Sequence, residues 1–180
     1  KRAKFVLTGT AGGFLPKLTS SFYEVYDDLS WNFLVSLYSS KYQNATEVSG
    51  TADDDVKYIV EFSGIHKVVD STIHEFTATG SISAEEAAKF LSSPKRMFVG
   101  AHRTNFTGSL ITRSDHKLNS LRVWQNKLSM EDLSIHASDP SNYSIKNPAQ
   151  NAYLFNTGNN RFYVPNKETL LLHWNFDNVT

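Results

Sequence analysis

Residues 96–133 read RMFVGAHRTNFTGSLITRSDHKLNSLRVWQNKLSMEDL, and the order of apolar and polar side chains in this stretch decides the predicted fold. The pattern predicts strands at Met97–Ala101 and Leu121–Trp124, because period-2 alternation is typical of a strand with one face against a core. After a turn, Ser129 stands three residues before Asp132, which is the pattern of a helix N-cap with an acid in the first turn. The stretch therefore predicts two strands followed by a short helix.

Other parts of the chain show the same strand pattern. Trp31–Tyr38 alternates along its whole length, and Thr72–Gly80 predicts one more strand. Lys57–Ser63 also alternates, and Ser63 with Gly64 predicts a turn into a further strand. The aromatic residues (12 Phe, 8 Tyr and 3 Trp) suit half-buried strands, so the composition favours a β-rich protein.

A second short helix is predicted between two strands. Ser83 forms a capping box with Glu86, and Ala87 and Phe90 supply an apolar side. Pro94 fits the end of this helix. A small helix placed between strands typically covers a sheet edge.

Residues 96–133 contain, in order, a strand closed by Gly100, the aromatic Phe106 followed by Thr-Gly, the strand Leu121–Trp124 and the sequence KLSMEDL. This order resembles the C-terminal half of the laminin G-like, concanavalin A-like jelly-roll domains. In that family a short helical turn with a leucine, a serine and two acids follows the last core strand, matched here by Leu128, Ser129, Glu131 and Asp132. The resemblance covers roughly residues 31–135. It implies an all-β fold, a two-sheet antiparallel β-sandwich (jelly roll) with one or two short helices. A shared fold does not by itself fix an activity.

Length and the sequence of the tail predict the domain organisation. We expect residues 1–155 to form the laminin G-like sandwich, because 180 residues suffice for one such domain with extra residues at its ends. Residues 156–180 would then form a linker and a last strand at Leu170–Phe176. This strand either closes the same sandwich or begins the next repeat of a tandem array. The chain begins without Met and within predicted structure, so we expect a segment of a longer polypeptide.

The composition limits which partners and which cellular setting we expect for this protein. Lys plus Arg and Asp plus Glu each number 18 and are interspersed, so no general attraction to nucleic acid or anionic membrane is predicted. No apolar run approaches the ~20 residues of a membrane span, and we expect no membrane insertion. The absence of cysteine excludes disulfides and thiolate sites and favours a viral, bacterial or intracellular setting.

The sequence lacks the common catalytic motifs. Related glycoside hydrolases place two acids on one strand face as Glu-x-Asp-x-x-Glu, and this chain has no such pattern. Its six histidines are scattered without a His-x-x-x-His pair, and no Gly-x-Ser-x-Gly elbow occurs. We therefore expect a protein that is not an enzyme.

One loop combines the groups that a sugar-binding rim uses. Asn105, Phe106 and Gly108 supply an amide, an aromatic platform and a backbone donor, and Arg103 and Asp115 flank them. The alternative is a turn whose Phe106 fills the core and whose Gly108 takes a positive φ. A motif fragment without context favours the turn.

An acidic run marks a candidate metal site. Asp53, Asp54 and Asp55 offer the oxygen ligands that Ca²⁺ prefers. The run lacks the glycine and the terminal glutamate of an EF-hand loop, so a solvated loop is the more typical interpretation. Calcium is the one candidate cofactor.

These observations predict a non-catalytic structural or adhesive module of a larger polypeptide. A virion or phage surface component, such as a capsid decoration, fibre or tail protein, would suit the missing cysteines and the balanced charge. Its partners would be other subunits or repeats of an assembly, and glycans. The alternative is a calcium-dependent carbohydrate-binding module of a bacterial surface or secreted protein.

Overall fold

The computed structural model describes residues 1–9, 13, 15–26, 30–40, 57–114, 116–125, 127–139, 141–142, 153–157, 160–163 and 170–176, with the backbone alone at 153–157 and 160–163. This part of the chain is mostly β structure, as the sequence predicts. Its strands are β1 (Arg2–Leu7), β2 (Leu18–Glu24), β3 (Trp31–Ser39), β4 (Lys57–Val68), β5 (Ser71–Ser83), β6 (Ala101–Arg103), β7 (Leu110–Arg113), β8 (Ser120–Trp124), β9 (Tyr153–Thr157), β10 (Asn160–Tyr163) and β11 (Leu170–Asn175). Its helices are α1 (Ala84–Ser92) and α2 (Met130–Ser138).

The centre of the fold is a three-stranded antiparallel sheet in the order β3-β4-β5. The middle strand, β4, is buried on both faces from residue 60 to residue 66. The predicted turn at Ser63 and Gly64 is wrong, because β4 runs straight through these residues. Gly64 serves close packing: a Cβ at this position would overlap the ring of Phe76 on β5. The chain reverses instead at Val69 and Asp70.

One face of the central sheet carries the main apolar core. The β1–β2 hairpin lies over this face beside β5, and α1 packs against β4 and β5. The aromatic rings interlock, with ring centroids 4.8 Å apart for Phe5 and Trp31 and 5.1 Å apart for Phe62 and Phe76. The buried core residues are Leu18, Val60, Phe62, Phe76, Ile82 and Ala87.

The opposite face of the sheet is covered by α2, which contacts β3 and β4. Leu128 and Leu133 are buried there, each only 3 % exposed. Both predicted helix starts are confirmed, because α1 and α2 each begin with a capping box. In α2 the Ser129 hydroxyl accepts from the Asp132 backbone N–H, and the Asp132 carboxylate accepts from the Ser129 N–H. The central sheet is thus covered on both sides.

The other described strands form two-stranded antiparallel sheets: β1–β2, β6–β7, β8–β11 and β9–β10. The predicted strand at Leu121–Trp124 is confirmed by β8, which pairs with β11 of the same chain. The predicted strand at Met97–Ala101 is misplaced, since β6 begins only at Ala101. Gly100, which directly precedes β6, has a φ of 76° and therefore does not continue a strand. The proposed domain boundary after residue 155 falls within β9, and this boundary stays a prediction.

Candidate functional site

The structure places four of the predicted ligand residues at one projecting hairpin. Arg103 ends β6, and Asn105, Phe106 and Gly108 lie in the connection to β7. The fifth residue, Asp115, lies outside the described residues. The candidate calcium ligands at residues 53–55 also lie outside them, so both the sugar and the calcium hypotheses stay predictions.

The polar groups at the tip of the hairpin form hydrogen bonds within the turn. Asn105 Oδ1 accepts the backbone N–H of Thr107 at 3.0 Å, and Gly108 N–H donates to the Asn105 carbonyl at 3.3 Å. The Gly108 carbonyl accepts from Arg103 Nη1 at 3.4 Å. Gly108 does not have a positive φ, and a Cβ there would collide with Thr104 Oγ1. The amide and the glycine therefore brace the loop, which weakens the argument for a sugar site at these atoms.

Phe106 does not fill the core. Its side chain is 69 % exposed, and its ring centroid lies 5.7 Å from that of Phe98. The Arg96 guanidinium lies over the Phe106 ring at 5.6 Å, a cation–π geometry. An open cavity of about 200 Å³ lies at the base of the hairpin, lined by Phe98, Gly100, Ala101, His102, Thr112, Arg113 and Ser114. The hairpin thus presents an aromatic ring and arginine side chains to solvent.

The hairpin and the segment before it carry charge of one sign. Residues 87–114 contain five basic residues and no acidic residue: Lys89, Lys95, Arg96, Arg103 and Arg113. Lys89 pairs with Glu85 at 2.6 Å. In the described part of the chain, the three arginines form no ion pair. The zero net charge of the whole chain conceals the positive charge of residues 87–114. A count of charges along short windows of the sequence would have found it.

A polar network around the buried Glu61 joins the segment just before α2 to the central sheet. Glu61, on β4 and only 8 % exposed, accepts from Tyr38 Oη at 2.8 Å and from Lys127 Nζ at 3.2 Å. Ser63 Oγ is 3.4 Å from the other carboxylate oxygen of Glu61. Burial lowers the pKa of Lys127, but hydrogen bonds to Tyr38 and Glu61 outweigh it and hold this pKa above its ordinary value. The network holds the segment that leads into α2 against β4, and both charged groups in it have a partner.

A second buried polar group lies in the aromatic core. His66 is 1 % exposed and lies opposite Trp31 on β3 and His74 on β5. Among the described residues, neither ring nitrogen of His66 has a hydrogen-bond partner, and the same holds for Trp31 Nε1. The Trp31 and His66 ring centroids are 5.4 Å apart. The sequence did not predict this cluster, because the contacts of His66 with Trp31 and His74 depend on the register of the three strands. The feature that could have indicated it is a histidine within an apolar strand.

The described residues contain no group of three or more His, Cys, Asp or Glu side chains placed to hold a metal ion. No helix in the described ranges has the length and apolar character to span a membrane. Comparisons with protein-family models, curated proteins and solved structures found no match.

Proposed function

We propose that this chain is a non-catalytic structural or adhesive module, which joins other subunits or repeats of a larger assembly through an open sheet edge. In this proposal the central sheet forms one layer of a two-sheet antiparallel jelly-roll sandwich, and the module belongs to a virion or another extracellular surface. The observation that carries the proposal is the edge strand β3.

Strand β3 lies at the end of the central sheet, so alternate backbone N–H and C=O groups point away from β4. No other described strand pairs with this edge. Natural edge strands are usually protected by a lysine, a proline, a bulge or short length. The sequence of β3, WNFLVSLYS, has no charge and no proline, and its nine residues pair with β4 without a register shift. Within the described residues, this edge therefore shows none of these four devices.

Apolar side chains at the edge add to this argument. Phe33 is 43 % exposed and Val35 is 54 % exposed, although both lie on a strand of the central sheet. An incoming strand would gain backbone hydrogen bonds and would cover these two side chains. Strand addition from a second subunit or repeat is the partner chemistry that this surface favours.

The test is a lysine placed in the edge strand. We expect the purified protein to associate with rising concentration, with a molar mass by light scattering that exceeds that of the monomer. Val35→Lys should abolish this association, because a charge on the edge opposes strand pairing. The matched control is Ser81→Lys, which places the same charge at an exposed position on β5, the strand at the opposite edge of the sheet, and so tests whether β3 is the edge that pairs.

Both variants are first compared with wild type by urea unfolding, so that loss of association is separated from loss of fold. A wild-type chain that stays monomeric at every concentration would overturn the proposal. So would Ser81→Lys if it reduced association as strongly as Val35→Lys.

A further inference from the structure

We propose that the β6–β7 hairpin is a second contact site, which docks on an anionic lipid surface. This site is separate from the β3 edge and goes beyond assembly by strand pairing. We define the hairpin patch as Arg96, Phe98, Arg103, Phe106, Leu110, Ile111 and Arg113.

Most of the apolar part of the hairpin patch is exposed. Phe106 is 69 % exposed, Ile111 is 53 % exposed and Leu110 is 48 % exposed. Met97, just before the hairpin, is 41 % exposed. All four residues of β7 are exposed, and the contacts of β6 and β7 with other described elements are few. Several exposed apolar groups on one hairpin and the segment before it make this surface a candidate for an interaction site.

The charge of the hairpin patch identifies the sign of its partner. Arg96, Arg103 and Arg113 are cationic, and the sequence from residue 87 to residue 114 contains no carboxylate. Arg96 is held over the Phe106 ring, so that cation and apolar ring form one unit. An anionic partner is therefore complementary to the patch.

The mixture of groups favours lipid over the other anionic partners. Nucleic acid and glycans offer flat faces that stack on aromatic rings, but they offer little to the branched aliphatic side chains Leu110 and Ile111. A bilayer with anionic headgroups offers both negative charge and hydrocarbon at one surface. Basic residues beside exposed Phe, Leu and Ile side chains suit such an interface, where the apolar groups enter the headgroup region.

The experiment is vesicle flotation with the full chain. We expect the protein to float with vesicles of phosphatidylcholine and phosphatidylserine, and to remain unbound with phosphatidylcholine alone. Added salt should weaken the binding, because screening reduces the attraction. Arg96→Gln/Arg113→Gln and Phe106→Ser/Ile111→Ser should each lower the partition coefficient about tenfold or more.

Matched controls remove the same groups elsewhere. Lys17→Gln/Lys57→Gln removes two exposed charges outside the hairpin, and Phe22→Ser removes a phenylalanine that is 62 % exposed on β2. These variants and Val35→Lys should bind vesicles like wild type, which separates this site from the β3 edge. Equal binding to both kinds of vesicle would overturn the inference. Binding to heparin or to single-stranded DNA without binding to vesicles would also overturn it and would identify a soluble polyanion as the partner.

Discussion

Gly64 and Val69 show how single residues set the position of a turn. Ser63 and Gly64 have the composition of a turn, but the ring of Phe76 on the neighbouring strand lies where a Cβ at residue 64 would be. The turn occurs at Val69, whose φ of 56° is rare for a β-branched residue. The sequence could not predict either feature, because the need for glycine comes from a cross-strand neighbour and valine gives no turn signal.

Replacing Val69 should relieve backbone strain. Val69→Asn should raise the free energy of unfolding by about 1 kcal/mol, because asparagine tolerates the left-handed region much better than valine. Val69 is 84 % exposed, so little packing is lost. Chemical denaturation measures the change, and Val68→Asn, within extended strand, is the control. Equal stability of the two variants would contradict the assigned turn.

Removing the buried imidazole of His66 should stabilise the fold. His66→Leu introduces an apolar side chain of roughly similar volume and removes two buried nitrogens that have no partner among the described residues, whose burial costs about 1–3 kcal/mol. We expect a higher urea midpoint for this variant. His74→Leu, on the half-buried neighbour, should change the midpoint less. A lower midpoint for His66→Leu would show that the ring nitrogens have a partner in solution.

At the scale of elements, the two helices are the best-predicted parts of the chain. Their capping boxes, Ser83 with Glu86 and Ser129 with Asp132, are local signals, and the structure forms both. The strands are less well defined by local sequence, since their ends and faces depend on distant partners. Glu61 shows this: its strand pattern places it on a polar face, but α2 and Lys127 cover that face.

The contact of α2 with the sheet should depend on the pair formed by Lys127 and Glu61. Lys127→Met leaves the Glu61 carboxylate without its cation, and we expect a loss of about 1–2 kcal/mol, discounted because Lys127 is partly exposed. Glu61→Gln alone should also destabilise. The double variant should lose less than the sum of the two single losses. Additive losses in urea denaturation would show that the pair is not coupled.

The start of α1 should make stability depend on pH in the acidic range. Hydrogen bonds from the Ser83 backbone N–H and hydroxyl lower the pKa of Glu86 from its ordinary value of 4.5. A lowered folded-state pKa stabilises the fold above the unfolded value, and this contribution is lost as the pH falls through the folded value. Glu86→Gln should therefore be less stable than wild type at neutral pH, and the difference should shrink below pH 4.5. A difference independent of pH would contradict the capping role.

At the scale of the whole molecule, composition and alternation predict the β-rich class and the short helices. The pairing of β8 with β11, the central position of β4 and the open edge of β3 are not evident in local sequence, because sheet partners are brought together by the chain between them. The candidate site likewise has one part that local sequence predicts and another that only the folded chain shows. Its hairpin position is predicted from Asn105 to Gly108, but the exposure of Phe106 and the contact of its ring with Arg96 are properties of the folded chain.

Amide hydrogen exchange tests the central claim, which is a three-stranded sheet that is covered on both faces and whose β3 edge pairs with no other described strand. In dilute protein we expect the slowest exchange at residues 60–66, with Ser63 and Gly64 as protected as their neighbours. Alternate amides of β3 should exchange fast in the dilute protein and become protected as the concentration rises. Fast exchange at Ser63 and Gly64, or full protection of every β3 amide in the dilute monomer, would contradict the account.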